Sequence, residues 1–301
     1  MGVVWALVAA VAFGVTQTLN RKSNQLIGPF RAAFGLLVVV EVVLLASSIV
    51  TGEIDHLASA PAWALAFLAI AALFHYGGGW TLLAVSQQRV GVARTGVLAS
   101  AAPLVGTIAA ALLLDEALTL RVVVGVLVVV AGVALVSLSA PSAEAGTWAH
   151  LLGGRRGTLA PPWHALTVAG LWGTSPILIR KGLEGLPYPM LGLTFGIGVT
   201  VVLYGLGLTL TKSWGERAPA PALAWLTLGG LTAAVAISAQ WISFSLTTIA
   251  IALSLQQLAA LVVIALVPLM FREPFERISA MLVVGTVAML VGSTLVVLEG
   301  S

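Results

Sequence analysis

Ten stretches of this 301-residue chain are long and apolar enough to cross a membrane, and that pattern restricts the fold more than any motif does. A spanning helix needs about 20 mostly apolar residues, because every backbone N–H and C=O must be bonded inside the protein once water is excluded. Five candidates occupy about 2 to 20, 30 to 50, 61 to 86, 90 to 114 and 119 to 138. Five more occupy about 163 to 180, 189 to 211, 221 to 245, 247 to 271 and 278 to 298. We number them spans 1 to 10. Residues 139–162 form a polar linker whose Pro141, Gly146, Gly153, Gly154, Arg155, Arg156, Pro161 and Pro162 are loop chemistry. Charged residues are only 8% of the chain against roughly 25% in a soluble domain, so water is not the solvent for most of its surface. The expectation is an all-α integral membrane protein. Its N-terminus lacks a basic n-region and its first apolar run reads as a retained span.

Composition also removes function classes. The formal charge of +3 is spread over short loops, so no nucleic-acid-binding face is expected. The absence of cysteine excludes disulfides, thiolate catalysis and cysteine-ligated metals. His56, His75, His150 and His164 lie in unrelated segments, with no metal-ligand cluster and no nucleophile beside a base. Neither enzyme chemistry nor a cofactor is expected.

The two halves resemble each other. Ala6-Leu7, Ala10, Phe13-Gly14, Leu19 and Arg21-Lys22 precede Ala165-Leu166, Ala169, Trp172-Gly173, Leu178 and Arg180-Lys181 by 159 residues. Phe34-Gly35 corresponds to Phe195-Gly196, Glu116 to Glu273, and Gly125 and Gly132 to Gly285 and Gly292, with offsets between 157 and 161. Each half, 1–138 and 163–298, holds five spans, an odd number, so the second enters the membrane in the opposite sense. Two inverted five-helix repeats are expected.

These residues resemble the EamA-type branch of the drug/metabolite transporter superfamily. The likeness rests on the aromatic-Gly pair early in spans 1 and 6, the run Leu112 to Thr119 containing Asp115-Glu116, its counterpart Met270 to Phe275, and the Gly-rich span after each. It implies a ten-helix secondary transporter of small organic molecules in a bacterial or archaeal plasma membrane, with spans 1, 3, 4, 6, 8 and 9 around a central cavity. The family's early proline in the fourth span of each repeat is present as Pro103, whereas the second repeat has Ala260 or Val262 there and Pro268 later. Orientation is contested. Basic residues such as Arg21, Lys22, Arg89, Lys212 and Arg217 follow odd-numbered spans, which by the positive-inside rule puts both termini outside. The resemblance implies cytoplasmic termini instead, and Arg94 and Arg272 could belong to helix ends on the transport route.

Candidate functional residues stand out by their cost in hydrocarbon. Glu41 lies near the middle of span 2, where an ionised group costs about 2.5–3.5 kcal/mol on insertion scales. It is read as a proton-coupling carboxylate, or else as a structural partner for His75 or Arg94; His75 is the reserve coupling residue. Span 3 brings His75, Tyr76 and Trp80 together around Gly77, Gly78 and Gly79, which read as a substrate wall or as close helix packing. Gln240 in span 8, with Ser254, Gln256 and Gln257 in span 9, offers a polar cavity wall or interhelical glue. Arg94, Trp172 and Ser175 complete the candidate substrate contacts. Pro103 and Pro176 each free a backbone carbonyl, marking spans 4 and 6 as hinge candidates, although Thr174 and Ser175 could satisfy the gap in span 6.

An aromatic, amide-rich cavity with little charge suits amino acids or amphipathic metabolites carried by alternating access, with export the family expectation. The alternatives are a lipid or lipid-linked substrate flippase and a non-transporting membrane scaffold. The expected partners are a small-molecule substrate, the lipid bilayer and protons, with the chain a monomer or weak homodimer.

Overall fold

The computed structural model describes residues 1–90, 92–139, 163–271 and 279–299, without the side chains of Gln88, Val90, Val92, Ala93, Arg94 and Ser139. The linker, with Arg155 and Arg156, and the stretch holding Arg272 and Glu273 lie outside the described residues. All regular structure among the described residues is helical. Span 1 is Gly2–Ile27 and span 2 is Pro29–Val50, joined at Gly28, whose φ of 80° favours glycine. Span 3 runs from Ala62–Ala72 through a π-helical segment, Leu73–Gly79, into Trp80–Val90. Span 5 is Leu120–Ser139, span 6 Trp163–Gly185, span 7 Pro189–Leu210, span 8 Ala220–Leu246 and span 10 Ala280–Glu299.

Spans 4 and 9 are each broken in two. Span 4 consists of Val92–Ala99 and Ala102–Leu113, and span 9 of Ile249–Gln256 and Ala259–Phe271. The interruptions, Ser100-Ala101 and Gln257-Leu258, differ by the repeat offset of 157 residues. Pro103 accounts for the first, because it sits in the opening turn of the second piece, where a missing N–H costs nothing. Span 9 breaks at the matching place without a proline. Pro176, by contrast, lies inside an unbroken helix.

Nine helical stretches among the described residues have the length and apolarity to cross a membrane. The tenth span, Trp163–Gly185, has the length at 23 residues but is less apolar. Its middle is Trp172-Gly173-Thr174-Ser175-Pro176, of which Gly173, Ser175 and Pro176 are buried in the protein.

Packing between the halves comes in exchanged pairs. A Cβ added to Gly125 would stand 2.9 Å from the Gly292 carbonyl oxygen, and one added to Gly292 would stand 2.6 Å from that of Gly125. Gly132 and Gly285 meet in the same way, at 2.7 and 2.8 Å. Because the earlier residue of span 5 meets the later residue of span 10, the two helices run antiparallel, and the two-fold relating them lies across their axes. The same exchange links span 1 to span 9 and span 6 to span 4: Gly14 abuts Val262 and the Ala259 carbonyl, and Gly173 abuts Val105 and the Ala102 carbonyl. Small residues substitute for hydrophobic driving force here, since lipid is as apolar as leucine and association depends on close backbone approach.

Both termini lie at one end of the bundle. Gly2 packs on Leu246 and Thr247, and Glu299 pairs with Arg121 at 3.3 Å. Following the spans through the bundle, Arg21, Lys22, Arg31, Arg89, Lys212 and Arg217 belong to the opposite, basic end.

Candidate functional site

The three glycines of span 3 lie in its π-helical segment, a geometry that widens the turn and releases backbone carbonyls from the regular ladder. One of them, the carbonyl of His75, accepts a hydrogen bond from Trp172 Nε1 at 3.0 Å. The indole can reach it only because residue 79 has no side chain: a Cβ there would stand 2.3 Å from Trp172 Nε1. The aromatic-Gly pair of span 6 and the glycine run of span 3 are thus two halves of one contact.

From this contact a chain of hydrogen bonds crosses the bundle. His75 Nδ1 lies 2.6 Å from Ser175 Oγ in span 6. Tyr76 donates its hydroxyl proton to Gln240 Oε1 at 2.8 Å and accepts from Trp241 Nε1 at 2.9 Å, both in span 8. Gln240 Nε2 in turn donates to Gln256 Oε1 at 2.8 Å, reaching span 9. The His75 ring stacks on Trp172, and Trp80 meets Tyr76 edge-on with centroids 5.5 Å apart. His75, Tyr76, Ser175, Gln240 and Trp241 are all buried. No Asp, Glu, Lys or Arg side chain bonds into the chain among the described residues. One donor is left over: Gln256 Nε2 is shielded and has no partner.

Six sequence candidates, His75, Tyr76, Trp172, Ser175, Gln240 and Gln256, therefore converge, with Trp80 at the edge. Others fall elsewhere. Gln257 occupies the break in span 9 and takes no part in the chain of bonds. Ser254 is buried near span 10, where its carbonyl accepts from Ser293, and its own hydroxyl has no partner. The Arg94 side chain lies outside the described residues.

Glu41 sits between spans 2 and 7. Its Oε1 would be 3.1 Å from a Cβ at Gly198, and its Oε2 is buried without a hydrogen-bond partner. Of the alternative partners weighed for Glu41, the His75 imidazole is bonded at Nδ1 to Ser175. Thr174 and Ser175 do not cover the carbonyl freed by Pro176, since Thr174 bonds the Gly170 carbonyl and Ser175 the imidazole.

A second polar cluster was legible in the sequence only as repeat landmarks. Arg180, near the end of span 6, donates Nη1 to Glu116 Oε1 at 2.5 Å and Nε to the Phe244 carbonyl at 2.8 Å, and Nη2 to the Thr247 carbonyl. Glu116, following span 4, also accepts from the backbone amide of Ile249. This knot ties spans 4, 6, 8 and 9 together at the end that holds both termini. The Arg and Glu recurring at matched positions of both halves were the available signal.

Membrane-length helices thus surround a shielded polar centre that holds no charged side chain among the described residues. Residues 1–138 match the EamA-like transporter family. A solved crystal structure is similar in fold along the whole chain, with a TM-score of 0.78 at 18% identity, covering 99% of this chain and 97% of that one. No curated protein matches the sequence.

Proposed function

We propose that the chain is a secondary active exporter of small, uncharged or zwitterionic organic molecules, amino acids or amphipathic metabolites, working by alternating access between two inverted repeats, 1–138 and 163–298. The observation that carries this reading is the neutral chain from Ser175 through His75 and Gln240 to Gln256, with Tyr76 bonded to Gln240, which joins spans 3, 6, 8 and 9 and ends in an unpartnered buried amide donor. A buried donor without an acceptor costs the folded protein desolvation energy, and a substrate carbonyl or carboxylate oxygen would restore it. Trp172, Trp80 and Tyr76 supply flat apolar surface for the rest of the molecule. The lack of fixed charge among the described residues of the chain of bonds disfavours polyanions.

Rocking of the repeats would use the interruptions of spans 4 and 9 as hinges. The Glu116–Arg180 knot closes the terminal end in the conformation described, and opening toward that end requires it to part. Glu41, which has no fixed partner, is the proposed proton-coupling group, with His75 in reserve.

The test is substrate counterflow in proteoliposomes containing the purified chain, screened first with a thermal-shift panel, because bound ligand stabilises the fold according to its occupancy. Labelled substrate should exchange across the membrane without net flux, and Gln256→Ala should weaken its binding. A chain that stabilises with no small molecule and catalyses no exchange is not a carrier.

A further inference from the structure

A cavity of about 690 Å³ lies apart from the chain of hydrogen bonds, between the start of span 2 and the facing sides of spans 3 and 7. Its wall is apolar, built by Leu73, Leu82, Leu203 and Leu208, and deepened where Gly77, Gly78 and Gly207 contribute no side chain. At Gly207 an added Cβ would meet nothing within 4 Å.

The mouth differs from the wall. Arg31 lines it, with its guanidinium held by the Glu216 carbonyl, and the hydroxyls of Thr211 and Ser213 stand 2.8 Å apart beside it. Lys212, between them in sequence, is exposed. The first turn of span 2 contains no acidic residue, and the mouth opens at the basic end of the bundle.

We propose that this cavity is a binding site for an anionic glycerophospholipid, one acyl chain filling the apolar wall and the headgroup phosphate meeting Arg31 and the Thr211 and Ser213 hydroxyls. An apolar space of this size is a poor host for water, which needs two to four polar partners for each molecule. The bilayer supplies hydrocarbon directly, but acyl chains already in lipid gain little by entering a protein. Selection therefore falls to the headgroup, and a basic pocket between spans favours a phosphate carrying net negative charge over a zwitterion. A soluble anion would use Arg31 and leave the wall empty. A neutral lipid would fill the wall and leave Arg31 without a charge to pair. Lipid occupancy here is independent of whether the Gln240–Gln256 chain carries substrate.

The experiment uses the full chain in detergent, with lipid binding read by native mass spectrometry and thermal unfolding. The probes are phosphatidylglycerol, phosphatidylcholine and the soluble headgroup glycerophosphoglycerol. The expected result is one tightly held phosphatidylglycerol per chain, preferred over phosphatidylcholine by about five-fold for the one paired charge, and no effect of the soluble headgroup. Gly207→Leu, which projects into open space and favours helix, should reduce that binding at least about ten-fold while the chain stays folded. Arg31→Gln should make the two lipids bind equally. Phosphatidylglycerol binding undiminished in Gly207→Leu, equal binding of the two lipids by the unmodified chain, or stabilisation by the soluble headgroup alone would each overturn the proposal.

Discussion

Both carboxylate oxygens of Glu116 lie 3.1 Å from the backbone amide of Ile249, so a residue just after span 4 satisfies a free amide in the first turn of span 9, beside its N-cap Thr248. The same carboxylate binds Arg180, whose side chain is 25% exposed against 10% for Glu116. Losing such an amide partner costs about 1 kcal/mol, and the stranded guanidinium adds to that. Glu116→Ala should therefore lower unfolding free energy by about 1–3 kcal/mol. Glu184→Ala, which removes an exposed helical pair with Lys181, should change it by less than about 0.5 kcal/mol. Urea or thermal unfolding in detergent compares the two, and equal losses would show that the knot is not structural.

Gly79→Ala forces Trp172 to move, because the new methyl would stand 2.3 Å from the indole nitrogen. The hydrogen bond to the His75 carbonyl should break and tryptophan fluorescence should shift, with a loss of about 1–3 kcal/mol from overpacking. Gly170→Ala, in open space on the same helix that carries Trp172, should be neutral or stabilise by up to about 1 kcal/mol. A Gly79→Ala variant with unchanged emission and unfolding midpoint contradicts the contact.

The span 5 and span 10 crossing makes a paired prediction. Since Gly125 meets Gly292 and Gly132 meets Gly285, valine at any of the four should separate the helices, at about 1–3 kcal/mol each. Gly132→Val and Gly285→Val alter one crossing point, so their double variant should cost less than the sum of the singles. Strict additivity in the double-mutant cycle would mean that the two glycines do not share a contact.

Glu41→Gln preserves size while removing a proton-binding group. With Glu41 as the coupling residue, the variant should fold, retain substrate counterflow and lose accumulation driven by a pH gradient. Undiminished pH-driven accumulation would transfer the coupling role away from Glu41.

Much of the architecture was readable along the chain because membrane insertion is decided locally. A run of about 20 apolar residues declares a span whatever its neighbours do, since hydrocarbon leaves the backbone no partner but itself. Phe13-Gly14 and Trp172-Gly173 were legible as counterparts, and both glycines do serve as close-approach points, each on a helix of the other half. The break in span 9 was not legible. It matches the span 4 break without a proline, so no local dihedral restriction marked it in the sequence.

What the sequence determined by itself was the solvent, the span count to within one apolar threshold, the family resemblance and the set of polar residues that hydrocarbon would not tolerate unpartnered. Which of those residues meet was decided by tertiary structure alone. Gln256 and Gln257 are adjacent in sequence, yet one ends the chain of bonds from Ser175 and the other sits in a helix break. Glu41 and His75, both titratable and both mid-span, occupy different interfaces, and Glu116 finds Arg180 from 64 residues away. The reason is geometric: burial cost belongs to each side chain separately, whereas a hydrogen bond needs two groups within about 3 Å, and only the packing of helices sets that distance.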